Sequence, residues 1–198
     1  MTKILVVSAG MSQPSSTRLL ADRLASATRD AVDGDITVDT VELRTFAHDI
    51  TDHMLVGFAA PKLREVLDKL EAADGLILVT PTFTASYSGL FKSFIDTIDP
   101  DVMRDKPVVL AATGGTERHS LVLEYALRPL MAYLRAAPVA TAVYAASSDW
   151  GNETQLQQRI ERAAEEFAIA MSRRPATEDD DPFVNPVPFT QLLSDAAT

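Results

Sequence analysis

The sequence predicts an α/β fold, a three-layer sandwich around a five-stranded parallel sheet of order 2-1-3-4-5. Strand-like segments alternate with helix-like segments along most of the 198 residues. Two of the strand-like segments, 76–79 and 108–112, are apolar throughout, as expected of strands that are covered on both faces. The alternation favours parallel strands joined by helices that lie on both sides of the sheet.

Five strands are predicted, and their patterns also indicate their positions. The short apolar run from Ile4 to Val7 suits a strand that is buried on both faces. Segment 36–43 alternates apolar and polar residues, which is typical of an edge strand with one covered face. The predicted strands are 3–8, 36–43, 75–80, 107–112 and 139–146.

Five helices are predicted from apolar residues that recur every three or four positions. In the second helix, Leu63, Val66 and Leu70 mark one face, and charged residues occupy the other. The predicted helices span 16–30, 60–73, 88–97, 119–136 and 152–173. Five strands and five helices in a chain of this length fit a flavodoxin-like arrangement.

The composition indicates one globular domain. Of the 198 residues, 46% are hydrophobic and 23% are charged, and no apolar stretch approaches the length of a membrane span. We therefore expect a cytoplasmic protein without a membrane partner. Its folded domain is predicted at residues 1–174, and an acidic, proline-rich tail is predicted at 175–198.

Charge and cysteine content exclude several classes of function. The net charge of −10 argues against nucleic acid as a partner. Because the chain has no cysteine, it has no disulfide, thiolate nucleophile or thiolate metal site, and redox chemistry would depend on a bound cofactor. His48 and His53, five positions apart, are interpreted as polar loop residues rather than metal ligands. The chain also lacks the G-x-S-x-G elbow of serine hydrolases and the Walker A lysine.

A hydroxyl-rich loop, the first loop, joins the first predicted strand to the first helix. It carries Ser12 and leads into Ser15, Ser16 and Thr17. The first N–H groups of a helix have no partner inside the helix, and the helix dipole favours an anion there. Hydroxyls beside such N–H groups form a phosphate cradle that needs no lysine. The alternative is that Ser15 or Ser16 merely caps the helix, and the loop alone favours neither.

Two further loops are expected beside the first. For sheet order 2-1-3-4-5, the loops after strands 1, 3 and 4 line the crevice where the strand order reverses. The loop after strand 3 begins at Pro81 and offers hydroxyls, backbone amides and the aromatic edge of Phe83. The loop after strand 4 contains Gly114 and Gly115, which let backbone N–H groups face a flat polar ligand.

Together, the three loops resemble the NAD(P)H-dependent FMN reductase family, and the resemblance covers nearly all of the predicted folded part. The strongest match is to the family pattern P-x-Y-x-x-S-x-x-G-x-L-K-x-x-x-D, which runs here from Pro81 to Asp96. The glycine pair matches next, and the first loop matches G-S-x-R-x-x-S-x-N in part. Ser15 and Thr17 stand at the positions of its later serine and its asparagine, and Ser12 stands where many members have arginine.

The resemblance implies an NAD(P)H:FMN oxidoreductase in which hydride passes from the nicotinamide to the flavin and no side chain acts as a catalytic group. It implies a homodimer or homotetramer. The most similar branches pass reduced flavin to a partner flavin-dependent monooxygenase. It implies that the phosphate is held by Ser12, Gln13, Ser15, Ser16 and Thr17. It implies that the ribityl chain and the isoalloxazine lie along Pro81, Thr82, Phe83 and Thr84. The pyrimidine edge would meet Thr113, Gly114, Gly115 and, more remotely, His119.

Other functions remain open at this point. One is a reductase of quinones, azo dyes or metal oxyanions that keeps its flavin. Another is a non-enzymatic, flavodoxin-like electron carrier, although such carriers tend to shield the flavin with aromatic residues on both sides, and the loop after strand 4 has none. A third is a domain that keeps the fold and has lost the site. The sequence does not distinguish NADH from NADPH as the donor.

Two further features have structural explanations. Lys92 and Asp96 are four apart on a predicted helix and are expected to form a surface ion pair. Trp150, at the start of the last predicted helix, either covers the flavin across a subunit boundary or packs at an interface, and we favour packing.

Overall fold

The sheet has the predicted order, but it contains more strands than the five predicted. The computed structural model describes residues 1–151 and 153–173. Its strands are β1 Thr2–Ser8, β2 Ile36–Glu42, β3 Gly75–Phe83, β4 Ser86–Tyr87, β5 Pro107–Gly114, β6 Ala137–Pro138 and β7 Val143–Ala146. The order is β2-β1-β3-β5, with β6 and β7 both parallel to β5 and with β4 antiparallel to β3. The described part of the sheet therefore has seven strands.

Helices cover both faces of the sheet, so the three predicted layers are confirmed. They are α1 Ser16–Ala31, α2 Ala47–Val56, α3 Pro61–Ala72, α4 Gly89–Ile95, α5 Pro100–Met103, α6 Arg128–Tyr133 and α7 Glu153–Arg173. On one face, α1 and α7 pack together over strand residues such as Val6, Ile77 and Val109. On the other face, α2 to α6 cover residues such as Leu78 and Leu110. Each face has its own apolar cluster, and the fold is flavodoxin-like.

Local sequence signals account for several helix ends. The Ser88 hydroxyl accepts a hydrogen bond from the N–H of Phe91 at 3.2 Å, and α4 begins at the next residue. Pro61 is the first residue of α3, where a missing N–H loses no helical hydrogen bond. Gly57, with a φ of 82°, ends α2 in the left-handed conformation.

The last predicted strand, 139–146, is replaced by two short strands with a gap between them. β6 and β7 pair with opposite ends of β5. In the gap, the guanidinium of Arg128 donates to the carbonyl oxygens of Val139 and Ala140. The carboxylate of Glu166 accepts from the N–H of Thr141 at 2.7 Å. These two side chains satisfy backbone groups that a further strand would otherwise pair with.

The segment after β2 forms α2, and the prediction of a loop there is wrong. Within α2 only Ile50 is buried, while Met54 and Leu55 are exposed, so no apolar stripe marks the helix in the sequence. His48 and His53 therefore lie on a helix, where five positions correspond to about 500° of rotation and place them on different faces. Among the described residues, no group of three His, Asp or Glu side chains could hold a metal ion.

The predicted helix at 119–136 is interrupted. The chain instead forms a 3-10 turn at Glu117–His119, a π-helical turn at Leu123–Leu127 and then α6. In the π-helical turn, the N–H of Arg128 donates to a carbonyl five residues earlier. Pro129 follows and has no N–H to donate to the preceding turn, so regular α-helical bonding does not continue through it.

Two further expectations concern the surface and the chain boundaries. Lys92 and Asp96 form the predicted ion pair, with 2.7 Å between the ammonium and one carboxylate oxygen.

Over the described ranges, no helix combines the length and the apolar character that crossing a membrane would require. The predicted tail at 175–198 lies outside the described residues, and the boundary after residue 174 stays a prediction.

Candidate functional site

Three segments meet at the carboxyl ends of neighbouring strands. β1, β3 and β5 lie side by side in the sheet, so the segments that follow them share one edge. They are the first loop (residues 9–15), the hairpin (residues 82–87) and the glycine loop (residues 114–116). Every residue that the sequence analysis assigned to flavin lies on these segments or within a few positions of them.

In the first loop, Ser15 caps α1. Its hydroxyl accepts from the N–H of Arg18 at 3.2 Å, which makes capping one of its roles. Gly10 is buried beneath it, and a Cβ built there would overlap the Ser15 hydroxyl and lie 3.2 Å from the Thr17 Cβ. Ser12 donates to the carbonyl of Pro14 at 3.0 Å. The loop is therefore held by its own hydroxyls.

A buried pair of hydroxyls links the first loop to β5. The side chains of Thr17 and Thr113 are nearly inaccessible, and their hydroxyl oxygens are 2.8 Å apart. The pair fixes the start of α1 against the carboxyl end of β5. Both hydroxyls point at each other inside the protein rather than outward from the loops.

The charges nearest the first loop belong to Arg18 and its acidic partners. No residue from 9 to 17 carries a side-chain charge. Arg18, the next residue, binds the carboxylates of Asp22 at 2.8 Å and Glu42 at 2.6 Å. The hydrogen bond that Arg18 donates to the Asp22 carboxylate is the largest cause of the raised pKa of Arg18. The guanidinium is thus held on acidic partners on α1 and β2.

The hairpin places an aromatic side chain at the site. Thr82 pairs with Tyr87, and Phe83 pairs with Ser86. Phe83 is 50% exposed. The turn residues Thr84 and Ala85 have φ values of 49° and 64°, a left-handed conformation that residues with a Cβ rarely adopt. Pro81, where the site begins, is buried in β3.

The glycine loop rests on a tyrosine from β7. Tyr144 is 3% exposed, and its phenol donates to the carbonyl of Thr116 at 2.8 Å. A Cβ at Gly114 would overlap the phenolic oxygen and lie 3.1 Å from Cζ. Burial raises the pKa of the Tyr144 phenol above its ordinary value.

The two glycines differ in their surroundings. A Cβ at Gly115 would meet no atom within 4 Å. Neither Gly114 nor Gly115 is among the residues with positive φ. Gly114 is required because Tyr144 approaches it closely. Gly115 leaves an open surface above the loop.

The remaining candidates lie at the margins of the site. His119 is exposed at the end of the 3-10 turn that follows the glycine loop. Gln13 and Ser16 are exposed beside the start of α1.

Trp150 packs against the apolar cluster under α1 and α7, with the guanidinium of Arg23 5.4 Å from its ring centroid.

One buried hydroxyl makes the site suitable for a polar ligand. The Thr82 hydroxyl is buried and forms no hydrogen bond with any residue that the structure describes. It lies close enough to Tyr144 to oppose the rise in the phenol's pKa but outside hydrogen-bond geometry. An orphaned hydroxyl between the hairpin and the glycine loop fits a ligand that carries its own hydroxyls, as the ribityl chain of FMN does.

Sequence reasoning missed Tyr144. It lies in an apolar segment whose pattern predicts only a buried strand, and its partners Gly114 and Thr116 are about 30 positions earlier in the chain. The sequence did contain a signal. A buried tyrosine needs an acceptor for its hydroxyl, and it needs a neighbour as small as glycine where its ring passes close to the backbone.

Comparisons with known proteins identify the family of this chain. A family model described as NADPH-dependent FMN reductase matches residues 2–151. The FMN reductase (NADPH) of Pseudomonas aeruginosa is 38% identical over 170 residues, which cover 84% of this chain and 90% of that protein. An NADH-dependent FMN reductase of Pseudomonas fluorescens is 34% identical over 172 residues, with the same coverage of 84% and 90%.

A solved structure agrees as well. An oxidoreductase from Corynebacterium diphtheriae, determined by X-ray crystallography, superposes with a TM-score of 0.86 and is 43% identical, covering 88% of this chain and 99% of that chain. The family match spans more than half of the present sequence, and the relatives align over nearly their whole lengths. The chain therefore belongs to the NADPH-dependent FMN reductase family and is an NAD(P)H:FMN oxidoreductase.

Proposed function

We propose that this enzyme binds and releases FMN as a substrate and that a flavin-dependent monooxygenase receives the reduced flavin. The charges around the proposed phosphate site support the release of FMN. The sequences of the first loop and the hairpin support a monooxygenase as the recipient of the reduced flavin, because they resemble those of the branches that supply such monooxygenases.

In this proposal the phosphate lies at the N-terminus of α1. Ser12, Gln13 and Ser16 are exposed there and present polar side chains. Ser15 accepts a hydrogen bond from Arg18 and keeps its own hydroxyl proton for a phosphate oxygen. Thr17, whose hydroxyl is engaged by Thr113, contributes its backbone N–H.

The rest of the flavin lies between the hairpin and the glycine loop. Thr82 supplies the orphaned hydroxyl for the ribityl chain, and Phe83 supplies an exposed aromatic edge for the ring. The proposed contacts of the ribityl chain and ring are Pro81, Thr82, Phe83 and Thr84 on one side and Thr113, Gly114, Gly115 and His119 on the other.

The single observation that carries the proposal is the lack of a cation for the phosphate. The first loop has no lysine or arginine, and Arg18 is held by Asp22 and Glu42. Without a cation on the first loop, the phosphate is held by hydroxyl and N–H donors alone and lacks the additional Coulomb attraction of an ion pair, which favours weaker binding. An enzyme that releases its reduced flavin to a partner needs a low affinity for that flavin.

The chain's own groups bind and orient in this reaction. When bound, the flavin accepts a hydride from the reduced nicotinamide. Backbone N–H groups of the glycine loop are fixed donors for the pyrimidine edge, where negative charge grows. The open space above Gly115 and the exposed edge of Phe83 leave room for a second flat ring. No titrating side chain is required.

Steady-state kinetics of the flavin-free protein test the proposal. We expect oxidation of NADPH or NADH only when FMN is added, with a rate that saturates in FMN and with reduced flavin appearing in solution. Running both nucleotides side by side also gives the donor preference. Flavin that stays bound through gel filtration, with quinone reduction in the absence of added FMN, would indicate the flavin-retaining alternative. Bound flavin without any nicotinamide oxidation would indicate an electron carrier.

The recipient is tested separately. A two-component monooxygenase that lacks its own reductase should regain activity when this chain, FMN and the reduced nucleotide are supplied. The control is an equal amount of the Gly114→Val variant, whose flavin site we expect to be impaired. Restoration by that variant, or no restoration by the natural chain, would contradict the assigned recipient.

We also propose that the chain self-associates through the α2 to α6 face. Several large apolar side chains on this layer are more than half exposed, namely Leu55, Phe58, Leu121 and Tyr125. Scattered exposed apolar residues are ordinary, but several of them on one layer favour an interface. Light scattering during gel filtration should give the mass of a dimer or tetramer, and Leu55→Asp should shift it toward the monomer.

A further inference from the structure

We propose that Tyr144 is a positioning residue for the flavin site, setting the direction in which the backbone N–H groups of the glycine loop point. The inference rests on the proposed flavin contacts of that loop. Tyr144 touches neither the flavin nor the nicotinamide in this proposal and acts through the peptide after Thr116.

The first step is the reach of the side chain. Tyr144 pairs with Ala112 across the β5–β7 ladder and belongs to the same apolar cluster. Its ring runs from there toward the carboxyl end of β5. The phenol donates to the carbonyl of Thr116, two residues beyond that end, at 2.8 Å. The other donor to this carbonyl, the N–H of His119, is 3.5 Å away, so the phenol is its main partner.

The second step concerns the peptide unit that follows. A trans peptide directs its C=O and its N–H to opposite sides. With the Thr116 carbonyl held inward on Tyr144, the N–H of Glu117 points away from the phenol, toward the exposed side of the loop. One partly buried hydrogen bond thus aims a donor outward. The pyrimidine edge of a flavin presents carbonyl oxygens and a ring nitrogen that accept such a bond.

The third step is the close fit between Tyr144 and the loop. A side chain at Gly114 would collide with the phenolic oxygen. The same Cβ would lie 3.7 Å from the Cβ of Thr82, so the phenol, Gly114 and the hairpin are in mutual contact range. The position of the ring therefore affects both sides of the proposed flavin site.

The fourth step is the anchoring of Tyr144 itself. Arg159 on α7 donates to its backbone carbonyl at 3.0 Å and binds the carboxylate of Asp149 at 2.7 Å. That carboxylate also accepts from the N–H of Ala146 at 2.7 Å. β7 is thus braced at the tyrosine and two residues after it, which keeps the phenol in a fixed place.

Flavin binding by Tyr144→Phe tests the inference. The variant keeps the ring and removes only the donor, so we expect it to fold, with FMN binding weakened roughly fivefold in a fluorescence titration. Riboflavin, which lacks the phosphate, should lose the same factor, because the change acts at the ring edge. Tyr133→Phe, at a tyrosine that is 81% exposed, is the matched control and should bind both flavins as the natural chain does.

Two further variants separate positioning from general destabilisation. Tyr144→p-aminophenylalanine restores a donor at the same position and should recover most of the affinity. Gly114→Ala should weaken flavin binding, and adding Tyr144→Phe to it should recover part of the loss, because the colliding oxygen is gone. A merely structural role would make the double variant worse than either single one.

The outcomes are distinct. Unchanged affinity in a folded Tyr144→Phe variant, a loss for FMN that riboflavin does not share, or no recovery with the amino analogue would each overturn the role of Tyr144. If Tyr144→Phe does not fold, the amino analogue still decides, because it keeps both the ring and a donor and should bind both flavins nearly as the natural chain does. A natural chain that binds no FMN would instead overturn the flavin contacts on which the inference rests.

Discussion

The first loop and the glycine loop lie side by side at the same edge of the sheet, yet they are held in different ways. The first loop is supported locally, by Ser15 on the first turn of α1 and by Ser12 on Pro14. The glycine loop is supported by Tyr144, which reaches it from β7, a strand that pairs with β5 but lies about 30 positions later in the chain. Local support can be predicted from neighbouring residues, whereas remote support depends on which strands become neighbours.

The largest expected effect is at Gly114. Gly114→Val forces the Tyr144 ring out of its place, and we expect the free energy of unfolding to fall by about 2 kcal/mol in urea denaturation. Gly115→Val is the matched control, because no atom lies within 4 Å of the position of its Cβ. It should change stability by less than about 0.5 kcal/mol and still weaken FMN binding. Equal losses of stability at the two glycines would show that Tyr144 does not constrain the loop.

A somewhat smaller effect is expected at the hydroxyl pair that joins the first turn of α1 to β5. Thr17→Val leaves the buried Thr113 hydroxyl without its partner and should cost about 1–2 kcal/mol in the same measurement. Thr113→Val should cost a similar amount. The double variant should lose less than the sum of the two, because it leaves no orphaned hydroxyl. Additive losses would mean that this hydrogen bond contributes nothing.

Ser15 tests the local support of the first loop. Ser15→Ala removes the cap of α1 and should lower the free energy of unfolding by about 1 kcal/mol. Ser16→Ala, one residue later and exposed, removes no cap and should leave stability nearly unchanged. Both variants should weaken FMN binding and leave riboflavin binding unaffected. A stability loss at Ser16 equal to that at Ser15 would argue against the cap.

The smallest change supplies the missing cation. Ser12→Arg should tighten FMN binding about fivefold at low salt, because an exposed ion pair with the phosphate contributes about 1 kcal/mol or less. The gain should shrink as salt is added and should be absent for riboflavin. Tighter FMN should also slow the release of reduced flavin. An affinity that does not respond to salt would place the phosphate elsewhere.

Much of the fold follows from patterns within single segments. The apolar runs of β3 and β5 indicate central strands, and both lie inside the sheet. The alternation in β2 indicates an edge strand, and β2 is one. α3 is also predicted within one residue at each end, because its stripe of buried leucines and Pro61 define it.

Other elements could not be predicted because their stabilising contacts leave little local trace. α2 exposes Met54 and Leu55 and buries only Ile50, so its sequence has no apolar periodicity. The hairpin turns through Thr84 and Ala85 in the left-handed region, where a sequence pattern would call for glycine or asparagine. The gap between β6 and β7 depends on Arg128 and Glu166 from two separate helices.

The candidate site likewise has a part that could be predicted from the sequence and a part that could not. Its residues could be predicted from the three loops because parallel strands bring their carboxyl ends to one edge. The pairing of Thr17 with Thr113 could not, since it joins hydroxyls 96 positions apart. The sequence therefore predicts which residues belong to the candidate site, and tertiary packing decides which of their atoms remain free for a ligand.

The gap between β6 and β7 affects how the chain behaves in crowded solution. An unpaired sheet margin is a template onto which a foreign peptide can add and start fibre growth. Here Val139 and Ala140 already give their carbonyl oxygens to Arg128, and Thr141 gives its N–H to Glu166. That margin offers no continuous row of bonding groups, which protects the protein from aggregating through its last strand.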